Sequence, residues 1–284
     1  MNTNGPYTLN VNGRLIDMTC PLIMGVVNLT PDSFYQVQEM YDGDVLTADI
    51  IDVGAYSTRP GHGDVSVDEE KERLRMGLAE IRKRVGDDVM ISVDTFRSEV
   101  ARMCVEEYGV GIVNDVSGGM DERMFETVAE LGVPYVLTAN RAGVNADRSK
   151  QGSRSSRGSR SSRNADGYSV EADVLWLLER MQRLRSSGQK DIIVDPGFGF
   201  GKTLDENYQA MSDLEKYKVL DVPVLVGISR KSMIGGLIGC SPEDSLNGTT
   251  VLNTVALLKG ADILRVHDVR EAREAVKICS KLKI

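Results

Sequence analysis

The chain has 284 residues, and what it lacks narrows its class before any motif is read. Its 4 cysteines, Cys20, Cys104, Cys240 and Cys279, stand too far apart for a C-x-x-C pair, which argues against a zinc site or a disulfide framework and fits reduced thiols. No uninterrupted apolar run is long enough to cross a bilayer. Met1 to Asn12 carry no apolar signal segment, so a cytoplasmic protein with no membrane partner is expected. Positive charge is not in excess: 34 Lys and Arg against 42 Asp and Glu leave −8, which predicts no nucleic-acid partner. Any anionic ligand must therefore meet locally concentrated positive charge.

What is present suits a single domain spanning 1–284, with 41% hydrophobic and 27% charged residues. Short runs rich in Val, Ile and Leu recur at Leu22–Val27, Ala48–Val53, Val89–Val93, Gly111–Val113, Pro134–Leu137, Asp191–Val194, Pro223–Ile228 and Ala261–Val266. Such continuous rather than alternating runs are expected of parallel strands covered on both faces. Helical periodicity fills the gaps at Glu69–Lys83, Ser98–Tyr108, Glu122–Leu131, Ser169–Arg185, Glu206–Lys216, Ser245–Leu258 and Arg270–Lys281, with Gly132, Gly188 and Gly260 as stops. Strand and helix alternating in this way predict an α/β fold, a TIM (β/α)8 barrel, with a doubly wound open sheet as the alternative.

Two segments stand outside that plan. Residues 1–20 contain Asn12-Gly13, a type I′ turn signal between short apolar stretches, and predict a hairpin capping the barrel floor. Residues 145–167 form a Ser/Arg-rich insertion in which Arg154, Arg157, Arg160 and Arg163 recur at every third position, and predict a flexible loop near the barrel mouth.

In a TIM barrel the chemistry sits at the C-terminal ends of the strands. Here those ends read Asn28, Asp52, Asp94, Asn114, Asn140-Arg141, Asp195, Ser229-Arg230-Lys231 and Arg265-Val266-His267. Asp94, Asn114 and Asp195 are candidate acceptors for the N–H edge of a planar heterocycle, and Lys231, Arg265 and His267 are candidates to hold an anion. The loop Ser57-Thr58-Arg59-Pro60-Gly61 pairs hydroxyls with a guanidinium, and the glycines of Asp195–Lys202 allow a ligand close to the backbone. That glycine run matches neither a Walker A loop nor G-x-G-x-x-G. A nitrogen heterocycle bearing phosphate or diphosphate would satisfy both groups.

Seven segments in order then resemble the dihydropteroate synthases: Met24–Phe34, Asp52–Gly61, Ser92–Thr95, Asn114–Gly119, Asp195–Thr203, Ser229–Ser232 and Arg265–Val269. The resemblance implies condensation of 6-hydroxymethyl-7,8-dihydropterin diphosphate with 4-aminobenzoate to give dihydropteroate and diphosphate. It implies that Asn28 holds Mg²⁺ and diphosphate with Arg265 and His267, that Thr58 contacts the diphosphate substrate, and that Asp94, Asn114, Asp195 and Lys231 bind the pterin. Arg59, Phe200 and Ser232, with Thr58, would border the aminobenzoate. Asp94, Asp195 and Lys231 would be the catalytic groups, the protein a homodimer, and the pocket a sulfonamide target. An SN1-like displacement follows from the substrate, because the pterin ring can delocalise the cation left when diphosphate departs.

Two segments depart from the family pattern. Only Tyr35–Asp49 is available for the first loop and helix, with Asp42-Gly43 as a remnant, and Thr138-Ala139-Asn140-Arg141-Ala142-Gly143 replaces a Met-His-Met-Arg-Gly-like stretch. A non-catalytic pterin-binding paralogue and a methyltetrahydrofolate-dependent methyltransferase domain are the alternatives. The second has no diphosphate to release and no need of the Ser229–Ser232 and Arg265–His267 cations.

Overall fold

A computed structural model describes residues 7–29, 44–56, 65–141 and 168–282. Thr58, Arg59, Asp42-Gly43 and the insertion expected at 145–167 lie outside them. Strands β1 (Tyr7–Val11) and β2 (Arg14–Met18) form the antiparallel hairpin. Asn12 at φ 52° and Gly13 at φ 79° give its turn the two positive φ angles of type I′.

Eight strands follow: β3 (Leu22–Asn28), β4 (Ile50–Gly54), β5 (Met90–Asp94), β6 (Ile112–Asp115), β7 (Tyr135–Thr138), β8 (Ile192–Asp195), β9 (Leu225–Val226) and β10 (Ile263–Val266). All pair in parallel with their neighbours in chain order, β10 returns to pair with β3, and a bridge between Val194 and Val224 brings the two edges of the sheet together. That circular order is a barrel and excludes the doubly wound alternative, whose sheet stays open.

The outer ring consists of α1 (Val67–Val85), α2 (Ser98–Tyr108), α3 (Met124–Leu131), α4 (Val170–Ser186), α5 (Leu204–Ser212), α6 (Ser232–Ile238), α7 (Leu246–Leu258) and α8 (Val269–Cys279). The sequence sets their ends. Ser66 and Ser169 cap the starts of α1 and α4, Thr203 and Glu206 form a capping box on α5, and Gly109 and Gly132 close α2 and α3 in the left-handed conformation.

Three expectations shift. The helix expected over Glu206–Lys216 breaks at Asp213 into α5 and a 3-10 helix, Leu214–Leu220, because Ser212 and Asp213 are poor helix formers. Helix α6 is additional. Its Gly235-Gly236 pair depresses helix propensity, yet a Cβ at Gly235 would come within 2.5 Å of the Cys240 carbonyl oxygen. Strand β9 is shorter than Pro223–Ile228, since Pro223 has no N–H to give the ladder. In the described part of the first crossover there is a single 3-10 turn, Asp44–Thr47.

Period-two alternation divides the core. Ile51, Val53, Ile91, Val93, Val113, Tyr135, Leu137 and Val194 face outward and pack under the helices. Met24, Ile50, Ile112, Val136, Ile193, Leu225 and Ile263 face inward and are sealed from below by Leu9, Val11 and Met18 of the hairpin. The hairpin thus plugs the N-terminal end and leaves the C-terminal ends of the strands for chemistry.

Candidate active site

Two residues beyond the apolar floor, the inward positions turn polar. Ile50 is followed on its face by Asp52, Ile112 by Asn114, Val136 by Thr138, Ile193 by Asp195 and Ile263 by Arg265, with Ser92 the corresponding residue of β5. Asp52, Ser92, Asn114 and Thr138 are at most 1% exposed. Among the described residues, nothing hydrogen-bonds Asp52 Oδ1, Ser92 Oγ, Asn114 Oδ1 or Thr138 Oγ1. Buried polar atoms are rarely left so, and these four stand side by side on the inward faces of the adjacent strands β4, β5, β6 and β7, one step above the apolar floor.

Arg265 ties this floor together. Its guanidinium donates through Nε to Asp52 Oδ2 at 2.6 Å and through a terminal nitrogen to Asp94 Oδ2 at 2.6 Å. Asn114 Nδ2 donates to the same Asp52 oxygen at 3.0 Å, which turns Asn114 Oδ1 free as an acceptor. Gly227 and Gly54 leave space beside them: their Cβ atoms would meet Arg265 Cβ at 3.7 Å and Asp94 Cβ at 3.3 Å.

The charges here are strongly perturbed. Burial pushes the Asp94 carboxyl up to about 7, against the pull of Arg265 and with the help of Asp52. Burial likewise raises Asp195, opposed by Lys231 and by the hydrogen bond from Gly197 N. Burial lowers Lys231 to about 8, opposed by Asp195. Against the cost of its own burial, Arg265 is held above its ordinary range by Asp52 and Asp94.

Lys231 is the N-cap residue of α6, and its Nζ donates to Phe198 O and stands 4.9 Å from the centre of the Phe200 ring. Phe198 is fully buried, while Phe200, two residues on, is half-buried at the mouth. The glycine loop between them is pinned from behind. Lys202 Nζ donates to Pro196 O at 2.9 Å and Gly197 O at 3.3 Å and lies 3.4 Å from the buried Asp173 carboxylate, which also takes Arg141, Tyr168 and Tyr217.

Around this centre, His267 Nδ1 lies 3.1 Å from Ser229 Oγ, Ser232 opens α6 beside Lys231, and Asn28 ends β3, exposed. The strand ends therefore bring Asn28, Asp94, Asn114, Asp195, Lys231, Ser232, Arg265, His267 and Phe200 to one end of the barrel; Thr58 and Arg59 fall outside the described residues.

Three residues named at strand ends do other work. Arg230 makes a two-point ion pair with Asp268 at 3.1 and 2.6 Å, Asn140 donates to Val116 O at 3.0 Å, and Arg141 pairs with Asp173. On the fifth barrel strand, Thr138 takes the inward place. Asp52, Ser92 and Thr138 carried no expected role, although each lies on the face of a strand whose inward positions are set by its period of two.

A family model described as pterin binding enzyme matches residues 24–267. A dihydropteroate synthase of Escherichia coli is 35% identical over 95% of this chain and 94% of its own length. Among solved structures, a Thermus thermophilus dihydropteroate synthase in complex with 4-aminobenzoate is 37% identical, with TM-score 0.79 over 97% of this chain and 100% of that one. A Yersinia pestis dihydropteroate synthase in complex with a sulfonamide drug is 30% identical, with TM-score 0.80 over 96% of this chain and 98% of that one.

Proposed function

The chain belongs to the pterin-binding enzyme family, and we infer from its site that it catalyses the dihydropteroate synthase reaction, joining a pterin diphosphate to 4-aminobenzoate. The observation that carries this reading is the Asp52–Arg265–Asp94 bridge set among unpartnered acceptors, with Lys231 and His267 on the adjoining strand ends. Asn114 Oδ1 and the Asp195 carboxylate accept from the donor edge of the ring. The buried carboxylates stabilise positive charge that spreads over the pterin as the methylene–oxygen bond breaks.

Arg265 and His267 hold the departing diphosphate, and Lys231, against Phe200, borders both ring pockets. The arylamine nitrogen is unprotonated at neutral pH, so its attack on the methylene needs positioning rather than a strong base. Thr58, Arg59, Phe200 and Ser232 are assigned to the aminobenzoate carboxylate and ring, which is also the place a sulfonamide would compete for.

Among the described residues there is no cluster of three or more His, Cys, Asp or Glu able to hold a metal. A Mg²⁺ carried by the diphosphate, with the Asn28 side-chain oxygen as its hard protein donor, fits that set better than a dedicated cage. When bound it would neutralise charge on the leaving group.

We assign the assembly as a homodimer. Leu237, Ile238, Val251 and Ile278, all more than half exposed, lie on the neighbouring helices α6, α7 and α8, and a second copy would cover them. Among the described residues no helix is long and apolar enough to cross a membrane, and a cytoplasmic location is our reading. Incubation with the pterin diphosphate, 4-aminobenzoate and Mg²⁺ should yield dihydropteroate by mass spectrometry. Pterin retained with no condensation product would make this a binding protein instead.

A further inference from the structure

We propose that Thr138 is a pterin-binding residue of this enzyme, its hydroxyl completing the hydrogen-bonding floor on which the heterocycle rests; this goes beyond the functional assignment and rests on it. Thr138 ends β7 on the inward face, two residues beyond Val136 of the apolar floor and in register with Asp195 of β8. It is 0% exposed, and among the described residues its Oγ1 has no hydrogen-bond partner.

A wholly buried hydroxyl without a partner is costly to the fold, and valine would fill the same volume without that cost. The methyl group already has its place: a Cβ on Gly197 would meet Thr138 Cγ2 at 3.3 Å, so that branch faces the glycine loop. The backbone is committed as well, since the Thr138 carbonyl accepts from Asn140 N at 2.8 Å. What remains unexplained is the hydroxyl, and it belongs to the same row of unpartnered atoms as Asn114 Oδ1.

Asn114 Oδ1 can only accept, and the Asp195 carboxylate accepts whenever it is ionised. A hydroxyl can donate as well. Thr138 therefore supplies, beside those two acceptors, a neutral donor for a ring nitrogen or carbonyl oxygen, and it fixes the rotation of the pterin about the barrel axis. The 4-aminobenzoate is assigned instead to the mouth, beside Phe200 and Ser232.

The test compares the parent with Thr138→Val and Thr138→Ser by titration calorimetry with 6-hydroxymethyl-7,8-dihydropterin, by the KM for each substrate, and by the melting temperature without ligand. Thr138→Val should weaken pterin binding by about 5- to 10-fold, the scale of one neutral hydrogen bond. Its ligand-free melting temperature should hold or rise, and the KM for 4-aminobenzoate should stay put. Thr138→Ser should bind within about twofold of the parent. Undiminished pterin binding by Thr138→Val, or a lowered melting temperature accompanying its loss of binding, overturns the proposal. A parent protein that binds no pterin at all would overturn the functional assignment itself.

Discussion

Arg265 Nε donates to Asp52 Oδ2 at 2.6 Å, and that oxygen also accepts from Asn114 Nδ2 at 3.0 Å. One wholly buried carboxylate thus orients both the guanidinium assigned to diphosphate and the amide assigned to the pterin. Asp52→Ala should cost about 2 kcal/mol of stability in urea, because it removes one of the two carboxylates that hold a largely buried cation, and lower kcat/KM for the pterin diphosphate roughly 100-fold. Unchanged kinetics in a stable variant would show that Arg265 needs no such anchor.

The pH dependence follows from opposite shifts of two groups. Asp94, raised by burial from 3.8 to about 7, holds its proton more tightly in the folded chain. Its contribution to stability is complete below about 4 and is lost as pH rises through 7. Lys231, lowered by burial from 10.5 to about 8, contributes stability that is present above about 10 and lost as pH falls through 8. If the pterin substrate needs ionised Asp94 and protonated Lys231, kcat/KM is bell-shaped, with limbs near 7 and 8. Lys231→Arg should move the alkaline limb upward by more than about one unit. A limb that stays in place assigns it to another group.

Lys202 and Asp173 hold the glycine loop from outside the site, 3.4 Å apart with the lysine also on the Pro196 and Gly197 carbonyls. A double-mutant cycle with Lys202→Met and Asp173→Asn should give a coupling of about 1 kcal/mol or more in thermal or urea unfolding. The single variants should raise the KM for both substrates. Additive losses would mean the two side chains act independently.

The exposed apolar residues of α6 and α7 predict a second copy of the chain against them. Val251→Glu and Leu237→Glu together should convert a dimer to a monomer in sedimentation velocity without unfolding it. A parent protein that sediments as a monomer removes the premise.

The barrel was legible because its strands are apolar on both faces and separated by helix-length segments, and because Asn12-Gly13 admits few other turns. Asp94, Asn114, Asp195 and Lys231 were legible as polar residues closing apolar runs. Asp52 was readable as a strand end but not as the anchor of Arg265, a partner 213 positions along the chain. Thr138 was concealed by Asn140 and Arg141, more conspicuous polar residues just beyond it whose side chains turn to Val116 and Asp173. Helix α6 was hidden by Gly235-Gly236, although at Gly235 close approach to Cys240, not propensity, decides the residue.

Most directly, diphosphate and dihydropteroate should be followed together in one reaction containing the pterin diphosphate, 4-aminobenzoate and Mg²⁺, with Lys231→Ala and His267→Ala alongside. The assignment predicts both products in equal amounts, strictly dependent on 4-aminobenzoate, and a loss of roughly 100-fold or more in each variant. Bound pterin with neither product under any metal condition would contradict it.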